Sequence, residues 1–248
     1  MLSSFARAVL ISLLAAVSLH GQTMTVAQRL PLHKATHGVE GWLEVLTDAR
    51  LSQNLKREMW GVGDWPFVLS QNDPRRKVFA KQPPLNATLR VLDRQSHVVD
   101  TKKLEMPLAR ISEEQIQGQH PTFMVTVDYS VGFGSYAGLS TFLLDITDGK
   151  LAWASAMDLA SETTVPILLA KTLKSDWKVI PFGPNKDILR VYCQPGDGVD
   201  EFVVGYVRYR FDGQRWIRYE RTQAGFWESD NPFPPTEAFP LPDGLRAQ

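Results

Sequence analysis

The chain has 248 residues, 44% of them apolar and 22% charged, with 27 basic against 27 acidic side chains. That profile excludes the disordered, collagen-like and disulfide-stapled classes. A neutral chain also lacks the basic stripe that binds nucleic acid or an anionic membrane surface, so neither is expected as a partner.

The N-terminus reads as a targeting segment. In "MLSSFARAVLISLLAAVSLHGQ", Arg7 gives the positive start and Ala8 to Leu19 the apolar run, which is too short for the roughly 20 residues needed to span a bilayer. Small residues at Ser18 and Gly21 offer two cleavage points. Residues 1–21 are therefore expected to be a signal peptide, and residues 22–248 one β-rich globular domain with no membrane span after cleavage. Cleavage removes Arg7 and no acid, leaving 26 basic (27 − 1) against 27 acidic residues, a net charge of −1. Cys193 is the only cysteine, so an exported chain has no internal disulfide, which fits a Gram-negative periplasm better than a eukaryotic secretory path. It closes the apolar run "ILRVYCQP" and is expected as a small buried hydrophobe.

Residues 38–75 have a mixed texture. "EGWLEVL" suits a short strand. In "DARLSQNLKREMW", Leu51, Leu55 and Met59 recur every fourth position, which predicts one amphipathic helix with Asp48 as its N-cap. "GVGDWPF" ends it, and "NDPRRK" at 72–77 reads as a polar loop. His33 and His37 lie four apart between Pro31 and Gly38 without a third ligand at motif spacing, so they read as solvated loop histidines. Ser112 and Gln115 in "ISEEQI" have capping-box spacing and suggest a short helical turn.

From residue 86 onward, runs rich in Val, Ile, Thr, Phe and Tyr recur about every ten residues, separated by turn signals. They fall at 88–93, 97–104, 122–131, 137–146, 150–157, 164–173, 187–193, 201–210 and 215–222. The fold class expected is mainly β: an antiparallel meander, sandwich or partial barrel with one N-terminal amphipathic helix. The tail at 231–243 carries five prolines and is expected to lie extended on the surface.

Two Asp-Gly hairpins allow registers to be argued from the pleat. A two-residue Asp148-Gly149 loop pairs Ile146 with Leu151, Leu144 with Trp153 and Phe142 with Ser155, collecting the large apolar groups on one face. In "VRYRFDGQRWIRYERTQAGFWE" at 207–228, a three-residue Phe211-Asp212-Gly213 loop pairs Tyr209 with Arg215, Val207 with Ile217 and Gly205 with Tyr219. It places Val207, Tyr209, Ile217 and Tyr219 toward the core. Tyr206, Arg208, Trp216 and Arg218 then form an outward aromatic-basic face.

Chemistry-bearing motifs are sparse. "VGFGSYAG" at 131–138 departs from the nucleophile-elbow pattern at Phe133 and Ala137, and it opens a strand where a phosphate loop would open a helix, so it reads as a strand connection. Asp197, Asp200 and Glu201 in "QPGDGVDE" supply oxygen ligands of the kind calcium takes. The EF-hand order is missing, and a solvated turn with no metal is the reading adopted. Glu228, beside Phe226 and Trp227, is the candidate catalytic acid, because aromatic surroundings favour proton donation by a carboxylate. Trp153 is expected in the core, and Trp42, Trp60 and Trp65 against the helix. Trp216 and Trp227 remain as exposed stacking candidates.

These observations lead to an exported β-rich binding or interaction protein. Its candidate binding residues are Tyr206, Arg208, Trp216, Arg218 and Trp227, it needs no cofactor, and its partner is a protein or glycan of the cell envelope. The alternatives are an envelope enzyme acting on polysaccharide or peptidoglycan through Glu228, and a structural subunit or inhibitor docking through a sheet edge.

Overall fold

The computed structural model describes residues 23–51, 72, 74–117, 120–129, 134–183 and 185–241, with the backbone alone at 117, 120 and 121. The chain is mainly β, in two sheets. The smaller is antiparallel in the order β1 (Met24–Leu32), β2 (Gly41–Asp48), β3 (Thr88–Asp93), β4 (Val98–Lys103).

The larger sheet holds eleven strands. They are β5 (Ala109–Gln117), β6 (His120–Asp128), β7 (Gly138–Thr147), β8 (Lys150–Trp153), β9 (Ser155–Asp158), β10 (Thr163–Pro166), β11 (Leu168–Thr172), β12 (Ser175–Phe182), β13 (Asn185–Pro195), β14 (Phe202–Phe211) and β15 (Trp216–Ala224). Their order is β10-β9-β15-β14-β13-β12-β11-β7-β6-β5, with β8 paired to β7 off this path. The meander is antiparallel except where β15 meets β9, a parallel join.

Three apolar clusters organise these layers. The first lies between the sheets, where Leu43, Val45, Leu89 and Val91 face Ile111, Phe123, Val125 and Leu144. All four small-sheet residues are fully buried, and burial of side chains of this size contributes about 1.5–3 kcal/mol each. The second cluster occupies the other face of the large sheet. It draws Ile116 and Met124 from one end and Ala156 and Trp216 from the other, so the sheet curls around it without closing into a barrel. The third lies on the reverse of β13 and β14, where Leu189, Val191, Cys193 and Val204 are covered by Trp227, Phe233 and Phe239 of the C-terminal tail. Strand β14 is thus buried on both faces from Val204 to Arg210.

Several local expectations are corrected. "ISEEQI" is part of β5, because pairing with β6 overrides its capping-box spacing. The loop expected at 72–77 leads into a helix, α2 (Pro74–Lys81), with proline in its first turn as helix starts tolerate. His33 caps and His37 closes a single helical turn, α1 (Lys34–His37), where His37 is buried against Phe123 at 5.1 Å and its Nδ1 accepts the His33 N–H at 3.0 Å. Burial pulls the His37 imidazole below its ordinary pKa. The amphipathic helix predicted from Asp48 onward, with Trp60 and Trp65, lies outside the described residues. Asp48 itself ends β2, buried, and accepts the Arg50 amide at 2.9 Å.

The first hairpin has the predicted register at Ile146–Leu151 and Leu144–Trp153. Asp148 and Gly149 both have positive φ, 50° and 74°, as a two-residue turn of this hand requires. Phe142 does not reach Ser155; it lies opposite Val125 and Leu168. The second hairpin differs from expectation. Phe211 pairs with Trp216, Tyr209 with Arg218 and Val207 with Glu220. The connection is four residues, Asp212 to Arg215, held by the Asp212 carboxylate accepting the Gln214 and Arg215 amides at 2.8 Å each. The pleat argument assumed one buried face. With both faces of β14 covered, charge and apolar character no longer select the register.

Candidate functional site

The corrected register separates the residues predicted as one face. Arg208 and Trp216 point to opposite sides of the large sheet, and each is buried, 1% and 3% exposed. Tyr206 is also buried, with Phe239 at 5.5 Å and its hydroxyl accepting from Gln223 Nε2 at 3.0 Å. Trp227 lies under the tail and donates its indole N–H to the Pro232 carbonyl at 3.3 Å. Arg218 bridges Asp158 and Glu220. The exposed aromatic-basic face therefore does not form.

Glu228 sits at the tail's start, and its Oε2 lies 3.3 Å from the ammonium of Lys174, which is itself 3.5 Å from the Phe226 ring centroid. Here the carboxylate balances a buried cation. Asp197 and Asp200 are exposed in the turn after β13, and the Glu201 carboxylate accepts the Gly198 amide at 3.2 Å. Among the described residues no three His, Cys, Asp or Glu side chains are grouped to hold a metal ion. Of "VGFGSYAG", residues 131–133 lie outside the described residues. Gly134 to Gly138 lead into β7, and the Ser135 carbonyl accepts the Lys174 amide at 3.1 Å.

A different set of residues forms a pocket of about 310 Å³ on the curled face of the large sheet. Cross-strand registers build its floor. Arg110, Thr126 and Thr141 lie directly opposite one another across β5, β6 and β7, and the pair Leu139–Lys171 adds the adjoining row. In-register side chains on one face stand about 5 Å apart, and the Thr126 and Thr141 hydroxyls are 2.8 Å from each other. Trp177 from β12 and Gln28 from β1 complete the wall.

The electrostatics are those of a donor-lined pocket. Burial pulls the Arg110 guanidinium below its usual pKa, and the Asp128 charge pushes it back up. Lys171 Nζ lies 3.4 Å from the Asp176 carboxylate and 5.7 Å from the Trp177 ring centroid. The Trp177 indole nitrogen is buried with no hydrogen-bond partner among the described residues. A buried donor left unpaired costs about 1–3 kcal/mol, so it marks where a polar atom is wanted. Gln28 has a separate task. Its amide oxygen accepts the Ile111 N–H at 2.9 Å and its amide nitrogen donates to the Ile111 carbonyl, so one side chain pairs the outer edge of β5 as a strand would.

A polar network continues along the same face. Arg190, the cross-strand neighbour of Trp177, lies 5.1 Å over the Tyr192 ring. Tyr192 donates its hydroxyl to Glu220, which meets Arg218 and through it Asp158. Burial and then the Glu220 carboxylate raise the Tyr192 phenol above its ordinary pKa, so it stays a neutral donor. The lining of the pocket offers donors, hydroxyls and a ring face; it contains no carboxylate, histidine or thiol.

Of the lining, only Ser112 was singled out in the sequence, and there as a helix cap. The available signal was the alternation in "MVTVD" at 124–128, where Thr126 and Asp128 interrupt an otherwise apolar strand. Compared with known proteins, the chain is matched by no protein-family model, by no curated protein and by no solved structure.

Proposed function

We propose that this chain is an exported binding protein, periplasmic or secreted, whose ligand is an oxygen-rich, saccharide-like molecule seated between Arg110, Lys171 and Trp177. The observation that carries this reading is the gathering of Arg110, Lys171, Thr126 and Thr141 with the Trp177 side chain around one pocket. Sugars present ring oxygens and hydroxyls to such donors and an apolar ring face to an indole. About 310 Å³ is at the small end for ligand pockets and selects a compact ligand. No helix among the described residues is long and apolar enough to cross a membrane.

The test is titration calorimetry of the mature chain against a panel of acidic and neutral envelope saccharides. Binding by at least one member is expected, weakened about tenfold or more in Trp177→Ala and in Arg110→Ala, as the loss of one buried hydrogen-bonded group predicts. Absence of binding across the panel, or binding indifferent to both substitutions, overturns the reading. Export is tested by sequencing the N-terminus of the fractionated protein, which is expected to begin after Ser18 or Gly21.

A further inference from the structure

The reverse face of β14 holds a charge imbalance. Arg208 and Arg210 project on the same side, two residues apart, toward Asp187 on β13. Arg210 makes a two-pronged pair with the Asp187 carboxylate at 3.0 and 2.5 Å. Arg208 Nη1 is 3.7 Å from the same carboxylate, beyond hydrogen-bond reach. Arg208 and Asp187 are each 1% exposed, and Arg210 is 9% exposed. Among the described residues, two guanidiniums thus share one carboxylate, and one positive charge is left without its counterpart.

The nitrogens record the same deficit. Arg208 Nε, Arg208 Nη1 and Arg210 Nη1 are all buried with no hydrogen-bond partner among the described residues. Arg208 Nη2 reaches only the Thr236 carbonyl of the tail, at 3.5 Å. The Phe182 ring closes one side, 3.5 Å from the Arg210 guanidinium carbon. Arginine does not shed its proton in proteins, so the usual escape of a buried base is closed. An unpaired buried charge is among the most costly features a fold carries.

The geometry points to an anion site at this cluster, taking a single monovalent anion of halide size beneath the C-terminal tail. One surplus charge calls for a monovalent ion, and the near-complete burial of Arg208 calls for a small one. The site is on the opposite face of β14 from the Trp177 pocket, so it is independent of the proposed saccharide ligand.

Thermal unfolding of the full chain, in sodium chloride against sodium gluconate at equal ionic strength, tests this. A tenfold excess of chloride over its dissociation constant multiplies the folded-to-unfolded ratio about elevenfold and raises Tm by about 4 °C. Arg208→Met leaves Asp187 and Arg210 as a balanced pair and is expected to abolish the chloride dependence. Equal stability in the two salts, or a chloride effect that survives Arg208→Met, overturns the proposal. Should that variant not fold, crystals of the unaltered chain grown in bromide decide. An anomalous peak in contact with Arg208 Nη1 or Arg210 Nη1 supports the site, and its absence there overturns it.

Discussion

At Gly205 the polar network depends on a missing methyl group. A Cβ there would lie 2.2 Å from the Tyr192 ring, which crosses the glycine to reach Glu220. Gly205→Ala is expected to cost about 2 kcal/mol through overpacking and to break the Tyr192–Glu220 contact. Urea unfolding monitored by tyrosine and tryptophan fluorescence measures the first effect. At Asp48, burial raises the carboxyl pKa, but the Arg50 guanidinium and the Leu85 and Arg50 amides outweigh it and hold the group below 3.8. A carboxyl depressed in the folded state contributes stability that is full above its unfolded pKa and is lost as pH falls through the folded value. Asp48→Asn is therefore expected to destabilise the chain by about 3 kcal/mol near neutral pH. The gap to the unaltered chain should narrow as acid protonates the folded-state carboxylate, which paired denaturation curves across an acid pH series test. A cost that persists in acid would refute the ion-pair account.

At the level of elements, the joint between the sheets rests on a β-bulge. The register of β1 shifts between Val26 and Gln28, which turns Gln28 toward β5, where its amide pairs both backbone groups of Ile111. Gln28→Ala leaves that edge unpaired, at an expected cost of about 1–2 kcal/mol. Hydrogen exchange should quicken at the Ile111 amide while the interior Val125 amide keeps its protection. Helix α2 is likewise held by a distant residue. Arg50, anchored on Asp48, donates to the Gln82 and Pro83 carbonyls just beyond the helix and lies 5.5 Å from the Phe79 ring. That support explains why "NDPRRK" reads as a loop by itself: the helix is polar and has one buried residue, Phe79, so its own pattern carries little periodicity.

Across the molecule, the proline-rich tail is a cover. Trp227, Phe233 and Phe239 shield the reverse of β13 and β14, and the Ser229 amide bonds to the Leu173 carbonyl at 2.8 Å. Trp227→Ala is expected to cost about 3–5 kcal/mol and to make the tail the first segment cut in limited proteolysis. Unchanged cleavage would mean that the aromatic anchors do not hold it. This cover is also the reason the aromatic-arginine alternation of β14 misleads. Alternation reports an exposed face only when one side of a strand meets water, and here the curled sheet covers one side and the tail the other.

Most strands after residue 86, the Asp148-Gly149 turn and the exclusion of the proline-rich tail from the sheets were legible in the sequence; β5, read as a helical turn, and β12 were not. The legible signals lie in neighbouring residues: a two-residue alternation, a pair able to take positive φ, a run of prolines. Tertiary structure alone decided the strand order, the parallel join of β15 to β9, the register after Phe211 and the two sites. The Trp177 pocket and the Arg208–Arg210 cluster assemble side chains from strands far apart in the chain. Which of their polar atoms are left unpaired depends on packing that no local pattern carries.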